Sequence, residues 1–410
     1  MIKKLSGLLG LDLDYFIKGG FWLIFASVAS ALGGLLLSSL FSRLWPQDVY
    51  GQFAFLTSAL GFISLTALPG MGQAITQAVS EGKEGIYKDA SLMVAKWSII
   101  GTVALIAGSF YFYFRENPNL AAATFASALA FPISTTASFY NSYLTGKKLF
   151  KQVAIFSTIA QYSSLIATAL ALYFLPSLAW VAFFSAWSTA IVNVILTCFA
   201  FFRVKNSTKD NSAINLGIHL SFSQIFTIGA DYLDRFLVPV LLGFTNNAIY
   251  AFAILIPMQI HWFLKVFTTL GQPKVAEISQ KNLKSGLIRK SLQLEVLTAA
   301  IVFTYILAAP SIFKILYPNY QGEAVVLSQI FSVSLLYFPG NILSLLLVRE
   351  RQTKQIYKIN IFYAFSTIAA LAILVPTLGL IGAVLAKVIV RLLQLLTQVI
   401  LFIKTEIDEG

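Results

Sequence analysis

The sequence predicts an all-α integral membrane protein, with twelve transmembrane helices in two six-helix lobes related by a pseudo-two-fold axis along the membrane normal. Three observations lead there. The 410 residues are 58% hydrophobic and only 11% charged, against about 45–50% and 25% in an average soluble chain, so a wetted surface cannot be assembled. Apolar runs of the roughly 20 residues that cross a bilayer core recur twelve times along the chain. The two halves of the chain also echo each other. Strand barrels are excluded because these runs are too long and do not alternate apolar with polar residues.

Before the first span, Ile2, Leu5, Leu9, Leu13 and Phe16 recur at helical spacing beside Lys3, Lys4, Asp12 and Asp14. Residues 1–16 therefore read as a helix lying along the membrane surface. The acidic residues, and the spanning length of the run that follows, argue against a cleaved signal peptide. A first lobe over 17–205 holds spans at about 17–41, 50–71, 91–114, 120–144, 152–174 and 178–202. The polar stretch 206–217 reads as a cytoplasmic linker. A second lobe over 218–403 holds spans at about 218–243, 248–272, 292–313, 323–348, 359–376 and 378–403, leaving 404–410 as a cytoplasmic tail.

Lysine and arginine concentrate on the cytoplasmic side of membranes. With the N-terminus inside, 21 of the 29 basic residues fall in inner segments and only Arg43, Arg115 and Lys314 in outer ones. The expected location is a bacterial inner membrane, multi-pass, with both termini cytoplasmic. The formal charge of +12 thus belongs to loops beside a membrane and does not indicate nucleic acid. The single cysteine, Cys198, allows neither a disulfide framework nor a thiolate cluster.

The repeat between halves is specific in two places. Ser127, Phe131, Pro132, Lys147 and Lys151 recur 207 positions later as Ser334, Phe338, Pro339, Lys354 and Lys358. In the outer hairpins, Pro176, Leu178 and Ala182 match Pro376, Leu378 and Gly382 at an offset of 200. An even number of spans per half makes the repeat parallel.

The segment SRLWPQDVYGQFAFLTSALGFISLTALPGMGQAI (42–75) resembles the opening of the polysaccharide and O-antigen flippases of the multidrug/oligosaccharidyl-lipid/polysaccharide (MOP) exporter superfamily. Pro46, Asp48, Tyr50, Gly51, Gly72, Gln73 and Ala74 carry the likeness, although a valine separates Asp48 from Tyr50. NNAIYAFAILIP (246–257) is similar to the corresponding second-half turn, with Asn246 or Asn247 in place of a glycine, and PTLGLIGAVLA (376–386) is similar to the family's last hairpin. The resemblance implies a flippase that carries undecaprenyl-diphosphate-linked oligosaccharide to the outer leaflet by alternating access. It implies a lipid-linked oligosaccharide substrate, H+ or Na+ as coupling ion, a polysaccharide polymerase as downstream partner, and a cavity lined mainly by spans 1, 2, 7 and 8. Lipid II flippases are a nearer rival, but usually carry fourteen spans.

Charges inside spans are costly, at least about 2.5–3.5 kcal/mol each, and face the bundle interior. Span 7 carries ADYLDRFL, in which Asp231 and Arg235 are four apart and share a helix face. His261 and Lys265 repeat that spacing in span 8, and Lys387 and Arg391 in span 12. One reading has these charges pairing between helices to hold the lobe together. The other makes Arg235, Lys265, Lys387 and Arg391 a cationic cavity for a diphosphate, which guanidinium and ammonium groups suit. Tyr140, Asn141, Tyr232, Trp262, Tyr337 and Asn341 are candidate sugar contacts. A carboxylate withdrawn from water can take up and release a proton, and histidine ordinarily titrates near neutrality. Asp234, Asp231 and His261 are therefore the ion-coupling candidates, Asp234 ahead of Asp231 because Arg235 would hold Asp231 ionised.

No nucleotide-binding loop, nucleophile motif or metal-spaced cluster is present, so neither catalysis nor a cofactor is expected. Two alternatives stay open. One is an ion-coupled multidrug antiporter of the same superfamily, although five basic to two acidic intramembrane residues suit a cationic drug poorly. The other is a membrane-embedded glycan polymerase or ligase, which would need a larger outer loop than any here.

Overall fold

The structure, a computed structural model, describes residues 21–204, 211–277, 283–350 and 352–405. The expected surface helix over 1–16 and most of the 404–410 tail lie outside the described residues. Among those described there are helices and turns but no strands, and ten helices are long and apolar enough to cross a membrane.

In the first half these are α1 (Phe21–Leu44), α2 (Gln47–Ile63) with a following 3-10 turn (Ser64–Ala67), a short α3 (Met71–Ser80), α4 (Ile86–Phe114), α5 (Pro118–Ala137), a short α6 (Tyr140–Gly146), α7 (Phe150–Phe174) and α8 (Leu178–Phe201). The second half has α9 (Asn211–Leu242), α10 (Phe244–Glu277), α11 (Leu283–Leu316), α12 (Glu323–Val333), α13 (Gly340–Arg349) and α14 (Thr353–Lys404). The 52 residues of α14 would reach about 78 Å as a straight helix, more than twice the membrane core. They bend back at Gly379, whose φ of 59° and ψ of −134° are not helical, and so make two spans. Counting α14 twice and adding α9, whose mid-length charges reduce its apolar character, brings the crossings to twelve.

Helix ends follow local chemistry. Pro118 opens α5, where its missing N–H is no loss, and the Asn117 side chain accepts a hydrogen bond from the Leu120 amide at 3.1 Å. Three spans are broken part-way, span 4 between Ala137 and Tyr140. Span 2 stops at Leu68 (φ 51°) and Pro69, then restarts as α3. Gly70 sits in that break because a Cβ there would lie 2.4 Å from the Ser221 backbone nitrogen. Span 10 passes through a 3-10 turn (Ser334–Tyr337) before α13. The repeated Phe-Pro pair behaves differently in the two halves: Pro132 lies inside continuous α5, whereas Pro339 falls in the gap between the 3-10 turn and α13.

The chain divides into two compact units. One comprises the chain up to Trp45 and Gln52–Ile228; the other comprises Pro46–Gly51 and everything from Gly229. The division therefore falls inside α9 and not in 206–217, and residues 211–217 are helical instead of forming a linker. The reason is the pattern A-I-x-x-x-I: Ala213 is buried in the first unit's core and Ile214 and Ile218 pack against it. Ser221 reinforces this by accepting a hydrogen bond from the Gly70 amide at 3.0 Å.

The first unit's core gathers Met71, Ile75, Tyr87, Val94, Phe131, Tyr143 and Leu144, where α5 packs against α4 and α8, and α3 against α6. The second unit has one core around Val238, Tyr250, Leu327, Leu371 and Val384, and another around Leu264, Leu287, Phe338 and Leu346. The short segment Pro46–Gly51 joins the second unit through two contacts. The Asn247 amide donates to the Gly51 carbonyl at 2.8 Å, and the Tyr50 ring lies 4.5 Å from that of Phe252.

Candidate functional site: a charge ladder in the second unit

In the second unit, α9 brings two carboxylates one helical turn apart against two cations of α14. Asp231 Oδ1 lies 3.0 Å from Arg391 Nη2, and Asp234 Oδ1 lies 2.9 Å from Lys387 Nζ. The earlier aspartate takes the later cation, as helices running in opposite directions require. Spacings of three and four residues, about 4.5 and 6 Å along the axes, match closely enough for both rungs to form.

Each carboxylate also accepts a tyrosine. Tyr363 Oη donates to Asp231 Oδ1 at 2.5 Å, and Tyr250 Oη donates to Asp234 Oδ2. Arg391 is further flanked by two rings, 4.5 Å over Tyr337 and 4.8 Å over Tyr363, and donates to Gln394 Oε1 at 3.2 Å. The rungs differ in wetness. The Lys387 and Asp234 side chains are 7% and 3% exposed, whereas Asp231 keeps 41% of its side chain open and Arg391 18%. Removing one partner of a buried pair strands a charge at a cost of roughly 3–5 kcal/mol, so the inner rung is a structural commitment of the unit.

This arrangement corrects two expectations. Asp231 pairs with Arg391 and not with Arg235 on its own helix. Lys387, expected to line a cationic cavity, is buried and fully engaged: besides Asp234 it donates to the main-chain carbonyls of Ala230 at 3.1 Å and Asp231 at 3.4 Å.

Arg235 is left without a carboxylate in salt-bridge range among the described residues. Its guanidinium lies 5.2 Å over the Tyr232 ring, and its Nε is buried with no hydrogen-bond partner. Lys265 also lies over an aromatic ring, 5.0 Å from that of Trp262, with both side chains exposed. Spans 7 and 8 thus each present a cation on an aromatic face three residues earlier, the spacing that places two side chains on one helix face. Such a pair offers positive charge and a flat apolar surface together.

The other expected residues fall as follows. The His261 ring stacks on Tyr337 (5.9 Å, 15° between planes) and meets Phe338 edge-on, which is a packing environment. Asn341 accepts a hydrogen bond from Gln398 at 3.0 Å, and Tyr337 is 5% exposed. Tyr140 and Asn141 belong to the first unit, where Tyr140 is 1% exposed within the core and shows no face to a sugar. Among the described residues no group of three His, Cys, Asp or Glu side chains converges.

Sequence reasoning did not reach Tyr250, Tyr363 or Gln394; Tyr363 lies 132 residues from its partner Asp231, a separation that leaves no periodic trace. It also did not reach Glu84. That side chain, 5% exposed, pairs with Lys147 and accepts from Tyr143 Oη at 3.0 Å.

Comparisons with known proteins agree with this architecture. Residues 16–270 match the sequence profile of the family described as polysaccharide biosynthesis protein. Among solved structures, the lipid II flippase MurJ in an inward closed conformation superposes with a TM-score of 0.70 at 15% identity, over 93% of this chain and 88% of that one. An outward-facing multidrug resistance MATE family transporter of the MOP superfamily gives 0.66 at 16% identity, over 94% of each. A MOP superfamily transporter from Pyrococcus furiosus, described as having a binding pocket of reverse polarity, gives 0.65 at 15%, also over 94% of each. No curated protein matches the sequence. At these identities the likeness establishes the fold alone, an all-helical one shared with these proteins.

Proposed function

Because the chain belongs to the polysaccharide biosynthesis protein family, we propose that it is a flippase that moves undecaprenyl-diphosphate-linked oligosaccharide from the cytoplasmic to the outer leaflet by alternating access. It works in a bacterial inner membrane with both termini cytoplasmic, and supplies a polysaccharide polymerase on the far side. The observation that carries this reading is Arg235: a half-buried guanidinium within span 7, with no carboxylate in salt-bridge range among the described residues, resting on Tyr232. A diphosphate is an acceptor-rich anion that a guanidinium grips by geometry as well as charge. An adjacent aromatic face suits the apolar side of a sugar ring. Lys265 on Trp262 supplies the second positive charge of the same kind.

Charge arithmetic supports the assignment. Asp231 and Asp234 offset Lys387 and Arg391, so Arg235 is the cation of span 7 in excess over that span's carboxylates, and an anion matches it. An antiporter for cationic drugs, the reading that the fold of the MATE transporter favours, would meet repulsion there.

Charge reversal separates the two. Arg235→Glu is expected to abolish surface glycan, at least tenfold below wild type, with the protein still present in the membrane at normal amount; Lys265→Glu is expected to reduce it in the same direction. Glycan at wild-type level in Arg235→Glu rejects the reading. Gain or loss of resistance to a cationic dye, with glycan unchanged, supports the antiporter instead.

A further inference from the structure

The surroundings of Lys387 Nζ form a site in their own right. Its oxygen neighbours are one carboxylate oxygen of Asp234 at 2.9 Å, the Ala230 carbonyl at 3.1 Å and the Asp231 carbonyl at 3.4 Å. The second Asp234 oxygen is held by Tyr250. A carboxylate and two main-chain carbonyls converging on a point are the hard oxygen donors that a bare cation takes in place of water. Neither carbonyl is ordinarily offered to a side chain, because helix carbonyls are engaged by the amides one turn on.

We infer that Lys387 is a built-in cation: its ammonium permanently occupies an oxygen-lined monovalent-cation site on α9, so this chain carries its own counter-ion where a free Na+ or K+ would otherwise bind. The neighbouring rung is closed in the same way by Arg391 on Asp231. Coupling to H+ or Na+ therefore does not pass through a free carboxylate at Asp234 or Asp231, and the net charge of the ladder, zero for two carboxylates and two cations, stays constant throughout the cycle. The inference rests on the geometry around Nζ and holds whatever the transported substrate is.

Shortening the side chain vacates the site and leaves its oxygens in place. Purified Lys387→Ala is expected to unfold at a temperature that depends on the cation present, higher in sodium or potassium chloride than in choline chloride at equal ionic strength, by roughly 2 °C or more. Wild type is expected to be indifferent to the exchange. Asp234→Asn in the alanine background removes the site's only formal charge and is expected to abolish the cation effect.

Two results overturn the inference. One is a Lys387→Ala protein as indifferent to the cation as wild type. The other is a wild-type protein that is itself stabilised by sodium over choline, which would mean that the lysine does not hold the site. If Lys387→Ala does not accumulate, Lys387→Met fills the volume without charge. It is then expected to be poorly stable alone and restored by Asp234→Asn, because the orphaned carboxylate is gone; a double variant no better than the single one also rejects the assignment. None of these measurements reads glycan, so failure here and failure of the flippase reading are distinct.

Discussion

Asn247 shows how a single side chain acts across nearly two hundred residues. Its amide donates to the Gly51 carbonyl at 2.8 Å, and the residue is 2% exposed. The sequence places Asn246 or Asn247 where similar proteins carry glycine, and the structure separates the two. Asn246 turns back to the Leu242 carbonyl of α9, whereas Asn247 ties Pro46–Gly51 into the second unit. An acceptor left unsatisfied in a buried place costs about 1–3 kcal/mol. Asn247→Ala is therefore expected to lower the unfolding temperature of the purified protein by clearly more than Asn246→Ala, whose carbonyl partner is only partly buried. Equal shifts would show that the Gly51 contact contributes nothing. Tyr50 depends on the same anchor, since its ring and those of Tyr317 and Tyr320 gather on Phe252. Burial also pushes the Tyr320 phenol above its ordinary range.

At the scale of elements, spans were legible wherever a long apolar run was closed by a proline or a charge. The α7–α8 turn at Pro176 and the start of α5 at Pro118 were readable for that reason. What the sequence did not announce is how spans break and which of them pair. The Phe-Pro repeat is identical in spans 4 and 10, yet only in span 10 does the proline fall within the break; in span 4 the helix continues past Pro132 to Ala137 before it breaks. The ladder was half visible: the four-residue spacings placed charges on common faces, but spacing within a helix cannot say which helix lies opposite. The turn in α14 gives this scale its prediction. Gly379 occupies a backbone region that side chains rarely adopt, and a Cβ on Gly382 would fall 1.8 Å from the Leu374 carbonyl oxygen. The first half carries Ala182 at the matching position, after an ordinary loop at Leu175–Ser177. Gly379→Ala is expected to cost about 1–3 kcal/mol through backbone strain. Gly382→Ala, which must push two backbones apart, is expected to cost more and to lower the amount of protein in the membrane. Unchanged levels and unfolding temperature for Gly382→Ala would contradict the tight hairpin.

At the scale of the whole molecule, the dominant quantity is the uneven distribution of basic residues, 21 in segments the sequence assigns to one side and three in those it assigns to the other. Each lysine or arginine resists transfer across the bilayer, so the asymmetry acts on the twelve spans collectively and fixes every loop once the first is fixed. The structure supplies exposed positions to test this. Asn119 and Glu323 open α5 and α12 at ends assigned to the outer side, and Glu81 and Lys88 flank the turn between α3 and α4 at ends assigned to the inner side. Cys198 is the chain's single cysteine, so Cys198→Ala gives a cysteine-free background in one step. In spheroplasts, Asn119→Cys and Glu323→Cys are expected to react with a membrane-impermeant maleimide directly. Glu81→Cys and Lys88→Cys are expected to react only after permeabilisation. The opposite pattern would invert the protein, and would place the basic loops where a flippase that loads its cargo from the cytoplasm cannot use them. Agreement at Asn119 with disagreement at Glu323 would instead mean an odd number of crossings between them, and one of the spans from α5 to α11 would then not cross.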